Sequence, residues 1–156
     1  MIKVLVLTVS DRASRGEYED KSGPAIEEML ASRLEGVETE RFIVPDDPGK
    51  IKAAFGSHLD MDFIITTGGT GLSPRDVTPE VTQEFCERMI PGIAELLRNE
   101  SLTQTVNAAL SRGVAGVKGT TVIVNLPGSE RGARFCTELL VPILLHAKDM
   151  LSGKKH

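Results

Sequence analysis

Short apolar strands that alternate with helix-like segments constrain the fold of this chain more than any other feature of its sequence. Lys3–Val9 is a continuous run of aliphatic and β-branched residues, and residues 62–67 form a second such run. Runs of this kind are typical of strands buried on both faces of a parallel sheet. Residues 37–44 also have a strand pattern, and segments of helical periodicity lie between the strands, at about 24–34 and 50–59. This alternation predicts an α/β fold, a three-layer α/β/α sandwich with a mostly parallel sheet.

The second half of the chain is predicted to be more helical. Thr78 is followed by a proline and is a good N-cap for a helix. Two short apolar runs, residues 114–117 and 121–124, are separated by a turn and predict a hairpin or two closely spaced strands. Residues 130–151 are helical by periodicity, but Pro142 should kink this helix or split it into two.

Length, charge and cysteine content exclude several classes of protein. The 156 residues suffice for one domain with its own core, and we expect a single domain over residues 1–156. A formal net charge of -4 argues against nucleic-acid and acidic-membrane partners, which need a basic face. Because a strand pattern begins directly after Met1, we expect no signal peptide or membrane span and a cytoplasmic location. Cys86 and Cys136 lack the spacing of a zinc site and are interpreted as buried thiols in a reducing compartment.

Polar loops follow four of the predicted strands, at residues 10–12, 45–47, 66–71 and 125–129. Ligands of open α/β sheets bind at the carboxyl ends of the strands, so these loops should meet at one edge of the sheet. Polar side chains and glycines are concentrated there, whereas the strands themselves are apolar. The pattern therefore predicts a binding site at this edge.

The strongest candidate element is the loop at residues 66–71, Thr-Thr-Gly-Gly-Thr-Gly. Three glycines in four positions allow positive φ angles and can turn successive N–H groups towards a phosphate. The loop is not a Walker A motif, because no Gly-Lys-Ser/Thr follows, and its glycine spacing does not fit the Rossmann fingerprint. A tight turn without a ligand is the alternative interpretation.

Two acids near these loops are candidate metal ligands. Asp76 could hold Mg²⁺ on a phosphate that Arg75 clamps, or it could be a solvated acid near a helix N-terminus. Asp46 lies in Pro-Asp-Asp-Pro, residues 45–48, which is also ordinary turn chemistry. Since both loops should converge on one edge of the sheet, we predict that Asp46 and Asp76 share Mg²⁺ with phosphate oxygens.

The loop at residues 125–129 ends the last predicted strand and opens the final helix. Ser129 is either a helix N-cap or a phosphate ligand at a helix N-terminus, and the two roles can coexist in different ligand states. Nothing in the sequence resembles a Ser-His-Asp or Cys-His nucleophile. The chain is therefore predicted to position and neutralise phosphates rather than to form a covalent intermediate.

Residues 66–80, Thr-Thr-Gly-Gly-Thr-Gly-Leu-Ser-Pro-Arg-Asp-Val-Thr-Pro-Glu, resemble the signature of the MogA/MoaB molybdopterin-binding family. That family includes the G domains of gephyrin and of its plant counterpart. The resemblance extends to residues 9–13, 44–46, 110–119 and 125–129, and so covers essentially the whole chain. The long glycine-threonine-arginine-aspartate motif is highly specific, and the other segments are individually weaker.

The resemblance implies a three-layer α/β fold, a homotrimer and an Mg²⁺-dependent adenylyltransferase with ATP and molybdopterin as substrates. In that reaction the terminal phosphate of molybdopterin attacks the α-phosphorus of ATP, and pyrophosphate leaves. A molybdate-inserting partner would later consume the adenylated molybdopterin. The alternatives are a non-catalytic molybdopterin-binding carrier or scaffold of the MoaB type, and a nucleotide-binding regulator with another ligand.

The resemblance also implies roles for individual residues. Asp46 and Asp76 match the two acids tied to catalysis and metal binding in the family. The loop after the third strand matches the nucleotide and phosphate segment, the loop after the first strand lies beside the site, and the loop after the last strand is on the pterin side. The substrate- and nucleotide-binding residues predicted in these loops, with the arginine clamp, are Ser10, Asp11, Thr67, Gly68, Gly69, Thr70, Gly71, Arg75, Asn125, Gly128 and Ser129.

The chain departs from one branch of the family. The bacterial enzymes longest known as MogA carry an extra stretch after the Asn-Leu-Pro-Gly loop, whereas this chain passes directly into its final helix, as gephyrin-type G domains do. Some MoaB-type proteins lack the Arg-Asp pair. Arg75, Asp76 and Asp46 are all present here, which favours an active enzyme.

Overall fold

The computed structural model of the protein describes residues 1–154, and Lys155 and His156 lie outside the described residues. The described chain contains six strands, six α-helices and one 3₁₀ helix. In chain order these elements are β1 (Lys3–Val9), α1 (Asp11–Ser14), α2 (Ser22–Arg33), β2 (Glu38–Val44), α3 (Pro48–Gly56), β3 (Phe63–Thr67), α4 (Thr78–Phe85), β4 (Arg88–Met89), α5 (Pro91–Ser101), the 3₁₀ helix Val106–Leu110, β5 (Ala115–Lys118), β6 (Thr121–Leu126) and α6 (Glu130–Leu151).

The six strands form one mixed sheet in the order β2-β1-β3-β6-β5-β4. The first four strands of this order run parallel, with Val6 opposite Arg41 on one side and Ile65 on the other, and Ile65 opposite Val124. β5 and β4 continue the sheet antiparallel, and β5 forms the predicted hairpin with β6. The predicted mostly parallel α/β architecture is confirmed.

Helices cover both faces of the sheet because successive strand residues point to opposite sides. Val6 and Ile65 belong to a buried cluster that includes residues of α2, α5 and α6, such as Leu140. Leu5 and Ile64, their immediate neighbours in sequence, belong to a second cluster built with α3 and α4. The continuous apolar runs of β1 and β3 thus supply two cores at once, as expected for strands buried on both faces.

The start of α4 differs from the prediction. The N-cap position is occupied by Val77, and Thr78 is the first helical residue rather than the cap. The Thr78 hydroxyl instead donates to the Gly68 carbonyl oxygen at 3.1 Å. The Thr78 side chain is fully buried beneath the glycine-rich loop, so tertiary contact decided its partner in place of the local capping preference.

The final helix, α6, runs from Glu130 to Leu151 without interruption, so the predicted alternative of two helices is wrong. Pro142 lies on the exposed side of this helix, where water can satisfy the carbonyl group that proline leaves without a helical partner. Leu140 and Leu144 on the opposite side are buried against α2 and the sheet. Among the helices of residues 1–154, none has the combination of length and apolar character that crossing a bilayer requires.

Replacing Pro142 with alanine should raise the free energy of unfolding, by up to about 3 kcal/mol, because the variant restores a helical N–H and removes the clash of the proline ring. Chemical denaturation followed by circular dichroism measures the change. Leu145→Ala on the same exposed side is the control, and it should stay within about 0.5 kcal/mol of the wild type. An unchanged or lower stability of Pro142→Ala would contradict this account of α6.

Candidate active site

The order of the strands creates a crevice between the carboxyl ends of β1 and β3. The chain leaves β1 for β2 on one side and then crosses to β3 on the other side, so the two connections diverge at this point. Such a switch point is where open α/β sheets bind ligands. Ser10, Asp46 and Gly68, which directly or closely follow β1, β2 and β3, come together here, as predicted.

The glycine-rich loop presents its carbonyl groups to the protein. The four carbonyl oxygens of residues 68–71 all accept hydrogen bonds, two from Thr78 and two from Arg112. Thr78 donates from its N–H at 3.2 Å and from its hydroxyl at 3.1 Å, and Arg112 donates from its N–H at 2.9 Å and from Nε at 2.8 Å. Within residues 1–154, the N–H groups of residues 69–71 donate to no protein acceptor. This arrangement fits an anion-binding nest.

Two positions of this loop admit only glycine. Gly68 and Gly69 have φ angles of 99° and 69°, in the left-handed region. A Cβ atom on Gly68 would lie 2.3 Å from the Val9 carbonyl oxygen, and one on Gly69 would lie 2.2 Å from Thr78 Oγ1. The backbone therefore passes against β1 and α4 more closely than any side chain would permit.

A cavity of about 250 Å³, which we name the acidic cavity, opens on one side of the loop. Asp46 and Asp76 both line it, together with a third acid, Asp20, that the sequence analysis did not identify. Within residues 1–154, no group of three or more acidic, histidine or cysteine side chains is placed to hold a metal ion alone. The complete lining is Thr8, Val9, Ser10, Ala13, Tyr18, Asp20, Ser22, Asp46, Thr67, Gly68, Gly69, Asp76 and Gly128.

Asp46 carries a carboxylate oxygen that lacks a partner. Its Oδ2 atom accepts a hydrogen bond from the Asp11 N–H at 3.0 Å, but Oδ1 is buried and has no hydrogen-bond partner among the described residues. Burial raises the pKa of Asp46 above its ordinary value, and the nearby charges of Asp11 and Asp76 act in the same direction. A half-buried carboxylate with one buried, unused oxygen can gain a cation or a donor from a ligand.

Asp11 connects the loops that follow the first three strands. Its Oδ1 atom accepts a bond from the Asp46 N–H at 3.0 Å, and its carboxylate receives two bonds from the Arg75 guanidinium, at 2.9 and 3.0 Å. The paired guanidinium lowers the pKa of Asp11. Asp11 and Arg75 were predicted to contact the substrate, but the structure places neither in the lining of the acidic cavity. Their contacts hold Asp46 in position.

A second cavity of about 350 Å³, which we name the apolar cavity, lies on the other side of the glycine-rich loop. Thr70 and Gly71 form part of its wall, whereas residues 67–69 face the acidic cavity. Much of the remaining lining comes from α5, the 3₁₀ helix and α6. The loop is thus a partition between a charged cavity and a largely apolar one.

The cysteines are unsuited to nucleophilic chemistry. Both are free thiols, Cys136 is buried in the wall of the apolar cavity, and Cys86 is half-buried at the end of α4. Burial raises the pKa of Cys136, and it raises the pKa of Cys86 to about 11. Both side chains are therefore neutral thiols at pH 7.

Asn125 and Ser129 line the apolar cavity, but their polar atoms already have partners inside the protein. The Asn125 amide donates to Thr66 and Thr82 at 3.1 and 3.0 Å and accepts from the Val114 N–H at 3.2 Å. Ser129 accepts from Gly132 N–H at 3.1 Å, which makes it the N-cap of α6. In this structure Asn125 ties strands together, and Ser129 has the capping role that we considered.

Two residues at the site escaped the sequence analysis for different reasons. Asp20 accepts bonds from the Gly23 N–H and the Thr8 hydroxyl, and its place just before α2 is a capping signal that could have identified it. Arg112 binds carbonyl groups 36 and 41 residues away in sequence. No local pattern encodes such distant partners.

Gly69→Ala should destabilise the protein by at least about 1 kcal/mol more than Gly119→Ala, its matched control. Both glycines have positive φ, but a Cβ on Gly119 meets nothing within 4 Å, so that variant incurs only the left-handed backbone cost of about 1–2 kcal/mol. Gly69→Ala adds the collision with Thr78. Chemical denaturation compares the two variants, and equal losses would refute the close approach of loop and helix.

Asp46→Asn should be more stable than the ligand-free wild type at pH 7, and the advantage should depend on pH. Because the folded-state pKa of Asp46 is raised above its ordinary value of 3.8, its contribution to stability is complete below that value and is lost as pH rises through the raised pKa. The advantage of the variant should therefore grow as pH rises above 3.8 and then level off.

Denaturation measured from pH 3 to pH 8 tests this dependence. Asp11→Asn should change the stability in the opposite direction. The pKa of Asp11 is lowered in the folded protein, so its ionised form stabilises the fold above pH 3.8. That variant should lose stability at neutral pH and recover it as pH falls. Parallel curves for the two variants would show that the environment of Asp46 is not the one described.

The chain is similar in sequence to known proteins of molybdenum cofactor synthesis. Molybdopterin adenylyltransferase of Helicobacter pylori strain J99 is 41% identical over 156 residues, which cover 97% of this chain and 89% of that protein. Gephyrin of Dictyostelium discoideum is 37% identical over 160 residues, which cover 96% of this chain and 22% of gephyrin.

Similarity extends to solved structures. The molybdopterin biosynthesis enzyme MoaB of Thermus thermophilus superposes with a TM-score of 0.89 at 48% identity, covering 99% of this chain and 98% of that one. The family described as "probable molybdopterin binding domain" matches residues 5–146. The resemblance inferred from residues 66–80 is thereby confirmed, and the chain belongs to this molybdopterin-binding family.

Proposed function

We propose that this protein is a molybdopterin adenylyltransferase, which transfers AMP from ATP to the terminal phosphate of molybdopterin. The observation that carries the proposal is the glycine-rich loop, whose carbonyl groups are all bonded to the protein and whose N–H groups at residues 69–71 have no protein acceptor within residues 1–154. The Helicobacter pylori relative bears the name of this activity, at 41% identity across nearly the whole chain.

The two cavities suit the two parts of the reaction. Phosphate groups would bind at the loop and extend into the acidic cavity, where the amides of residues 69–71 can neutralise their charge. The apolar cavity, at about 350 Å³ and lined mainly by uncharged residues, falls within the usual size of small-molecule sites and would hold the pterin ring. Because the loop separates the cavities, it is where the phosphates of the two substrates would meet.

The residues of the acidic cavity fit Mg²⁺. Asp46 Oδ1 is buried without a partner among the described residues, and Asp46 and Asp76 line the same cavity, in support of a shared ion. Mg²⁺ takes one or two carboxylates and completes its shell with water and phosphate oxygens, so two acids suffice. When bound, the ion would neutralise charge on the triphosphate and on the leaving pyrophosphate.

The protein itself would act by alignment and charge neutralisation. An oxygen of the molybdopterin phosphate forms a bond to the α-phosphorus of ATP, and the bond from that phosphorus to the bridging oxygen of the β-phosphate breaks, releasing pyrophosphate. Loop amides hold the phosphates in line, and Asp11 fixes Asp46 through a reciprocal pair of hydrogen bonds, both 3.0 Å. No covalent protein intermediate is needed.

We further propose that the protein works in the cytoplasm as a homotrimer and passes its product to a molybdate-inserting partner. Its free thiols are compatible with a reducing compartment. Leu72, Val106 and Leu110 are exposed large apolar side chains, at 66%, 78% and 54%, which contact between subunits could cover. Dictyostelium gephyrin contains a region similar to this chain within a much longer protein, in support of a hand-over between domains.

Asp76→Asn should keep its fold and lose transfer by about a hundredfold or more, as enzymes do when a key electrostatic group is removed. Asp46→Asn should lose a similar factor if both acids share the ion. The assay is detection by mass of adenylated molybdopterin after mixing the protein with molybdopterin, ATP and Mg²⁺, with and without EDTA. Asp60→Asn, an exposed acid before β3, at the other end of that strand from the site, is the matched control and should retain wild-type turnover.

Each outcome of that assay decides between functions. Product that forms only without EDTA supports a metal-dependent enzyme. Wild-type turnover in Asp76→Asn would refute the metal role of Asp76. Absence of product despite measurable binding of molybdopterin would refute the enzyme and indicate a carrier or scaffold.

A further inference from the structure

Arg112 lines neither cavity, yet it contacts the glycine-rich loop at two places and the backbone of Asp76 at a third. Its backbone N–H donates to the Thr70 carbonyl oxygen at 2.9 Å, Nε donates to the Gly71 carbonyl oxygen, and Nη2 donates to the Asp76 carbonyl oxygen, both at 2.8 Å. Nη1 completes the set with Glu80 on α4, at 2.6 and 2.8 Å from its two carboxylate oxygens. One side chain thus bridges the loop, the aspartate and the following helix.

We propose that Arg112 is a positioning residue of the site, which sets the direction of the Gly71 amide at the end of the nest and the place of Asp76 without touching a substrate. The inference rests on the proposed function for its effect on transfer, but the effect on phosphate binding can be measured separately. Because a peptide unit is planar, holding the Thr70 and Gly71 carbonyl groups towards Arg112 turns the N–H groups that follow them the opposite way. Arg112 thereby orients the N–H groups of Gly71 and Leu72, whereas Thr78 orients those of Gly69 and Thr70, so the last N–H group of the nest depends on Arg112.

The segment from Thr70 to Asp76 has few other attachments to the body of the protein. Its remaining hydrogen bonds are local, between Ser73 and its neighbours, or run from the exposed Arg75 to the half-buried Asp11 at the start of α1. The first part of the loop is better held, since Thr78 binds Gly68 and Gly69. Loss of Arg112 would therefore release the end of the glycine-rich loop together with the segment that carries Asp76.

The geometry requires a guanidinium group rather than a positive charge. Arg112 directs three nitrogens of one rigid plane at three different acceptors, whereas a lysine ammonium is a single point with rotatable donors. The backbone on both sides of Arg112 is itself fixed, because Arg98 donates to the carbonyl oxygens of Ser111 and Gly113 at 3.1 Å each. A second arginine thus holds the first in position.

The test compares Arg112→Ala, Arg112→Lys and Glu80→Gln in the 156-residue chain. Titration calorimetry with pyrophosphate and Mg²⁺ measures the affinity of the glycine-rich loop for phosphate groups. The mass assay with ATP and molybdopterin measures the rate of AMP transfer. Both Arg112 variants should weaken pyrophosphate binding and slow transfer by about ten- to a hundredfold, as misplacement of reacting groups by about 1 Å does. Glu80→Gln keeps the carbonyl bonds of Arg112 and should change either quantity by less than about threefold.

Chemical rescue separates positioning from general loss of stability. The Arg112 side chain is 37% exposed, so guanidinium ion at low millimolar concentration can reach the space left in Arg112→Ala. Guanidinium should restore both pyrophosphate binding and AMP transfer, whereas sodium chloride at the same concentration should restore neither. Arg33→Ala, which removes an exposed guanidinium paired with Glu138 far from the site, is the matched control and should respond to neither addition.

The results separate this inference from the proposed function. Wild-type binding and transfer in Arg112→Ala, or full activity in Arg112→Lys, would overturn the positioning role. If Arg112→Ala does not fold, Arg112→Lys decides the matter by the same two measurements. A wild-type protein that binds pyrophosphate without transferring AMP would overturn the proposed function alone, and the binding data would still decide the role of Arg112.

Discussion

The site depends on one constraint, that the carbonyl groups of residues 68–71 are all bonded to the protein. Thr78 and Arg112 supply the donors, from the start of α4 and from the segment before β5. An unbonded buried carbonyl group is costly, so once these donors are placed the loop has one favourable orientation. Its N–H groups then remain available to an anion. The same orientation places residues 67–69 in the wall of the acidic cavity and residues 70 and 71 in the wall of the apolar cavity.

Asp46 illustrates how function and stability oppose each other in this fold. The carboxylate is partly removed from water, one of its oxygens lacks a partner among the described residues, and burial raises its pKa. The neighbouring Asp11 holds it there through two hydrogen bonds and is itself paired with Arg75. Such a placement weakens the ligand-free protein, and a bound cation and phosphate would recover that loss.

Sequence patterns predicted most of the fold and the location of the site, but not every role within it. β1 was predicted with its observed bounds, because burial on both faces leaves a continuous apolar run. Asn125, predicted as a substrate ligand, has each polar atom of its side chain bonded within the protein. Thr78, predicted as a cap, donates to the loop instead. Asn125 found partners 43 and 59 residues away, and Thr78 found its partner ten residues back, beyond the reach of a local capping pattern.

The sequence by itself determined the alternation of strands and helices, the glycine-rich loop and the acids beside it, because each is encoded in local periodicity or in adjacent residues. Only the tertiary structure decided that the loop divides an acidic cavity from an apolar one, and that Asp20 joins Asp46 and Asp76. It also decided that Arg112 holds the loop, through carbonyl groups 36 and 41 residues distant. The physical reason is that hydrogen bonds and burial depend on proximity in space, which packing of the sheet and helices establishes and which no short stretch of sequence records.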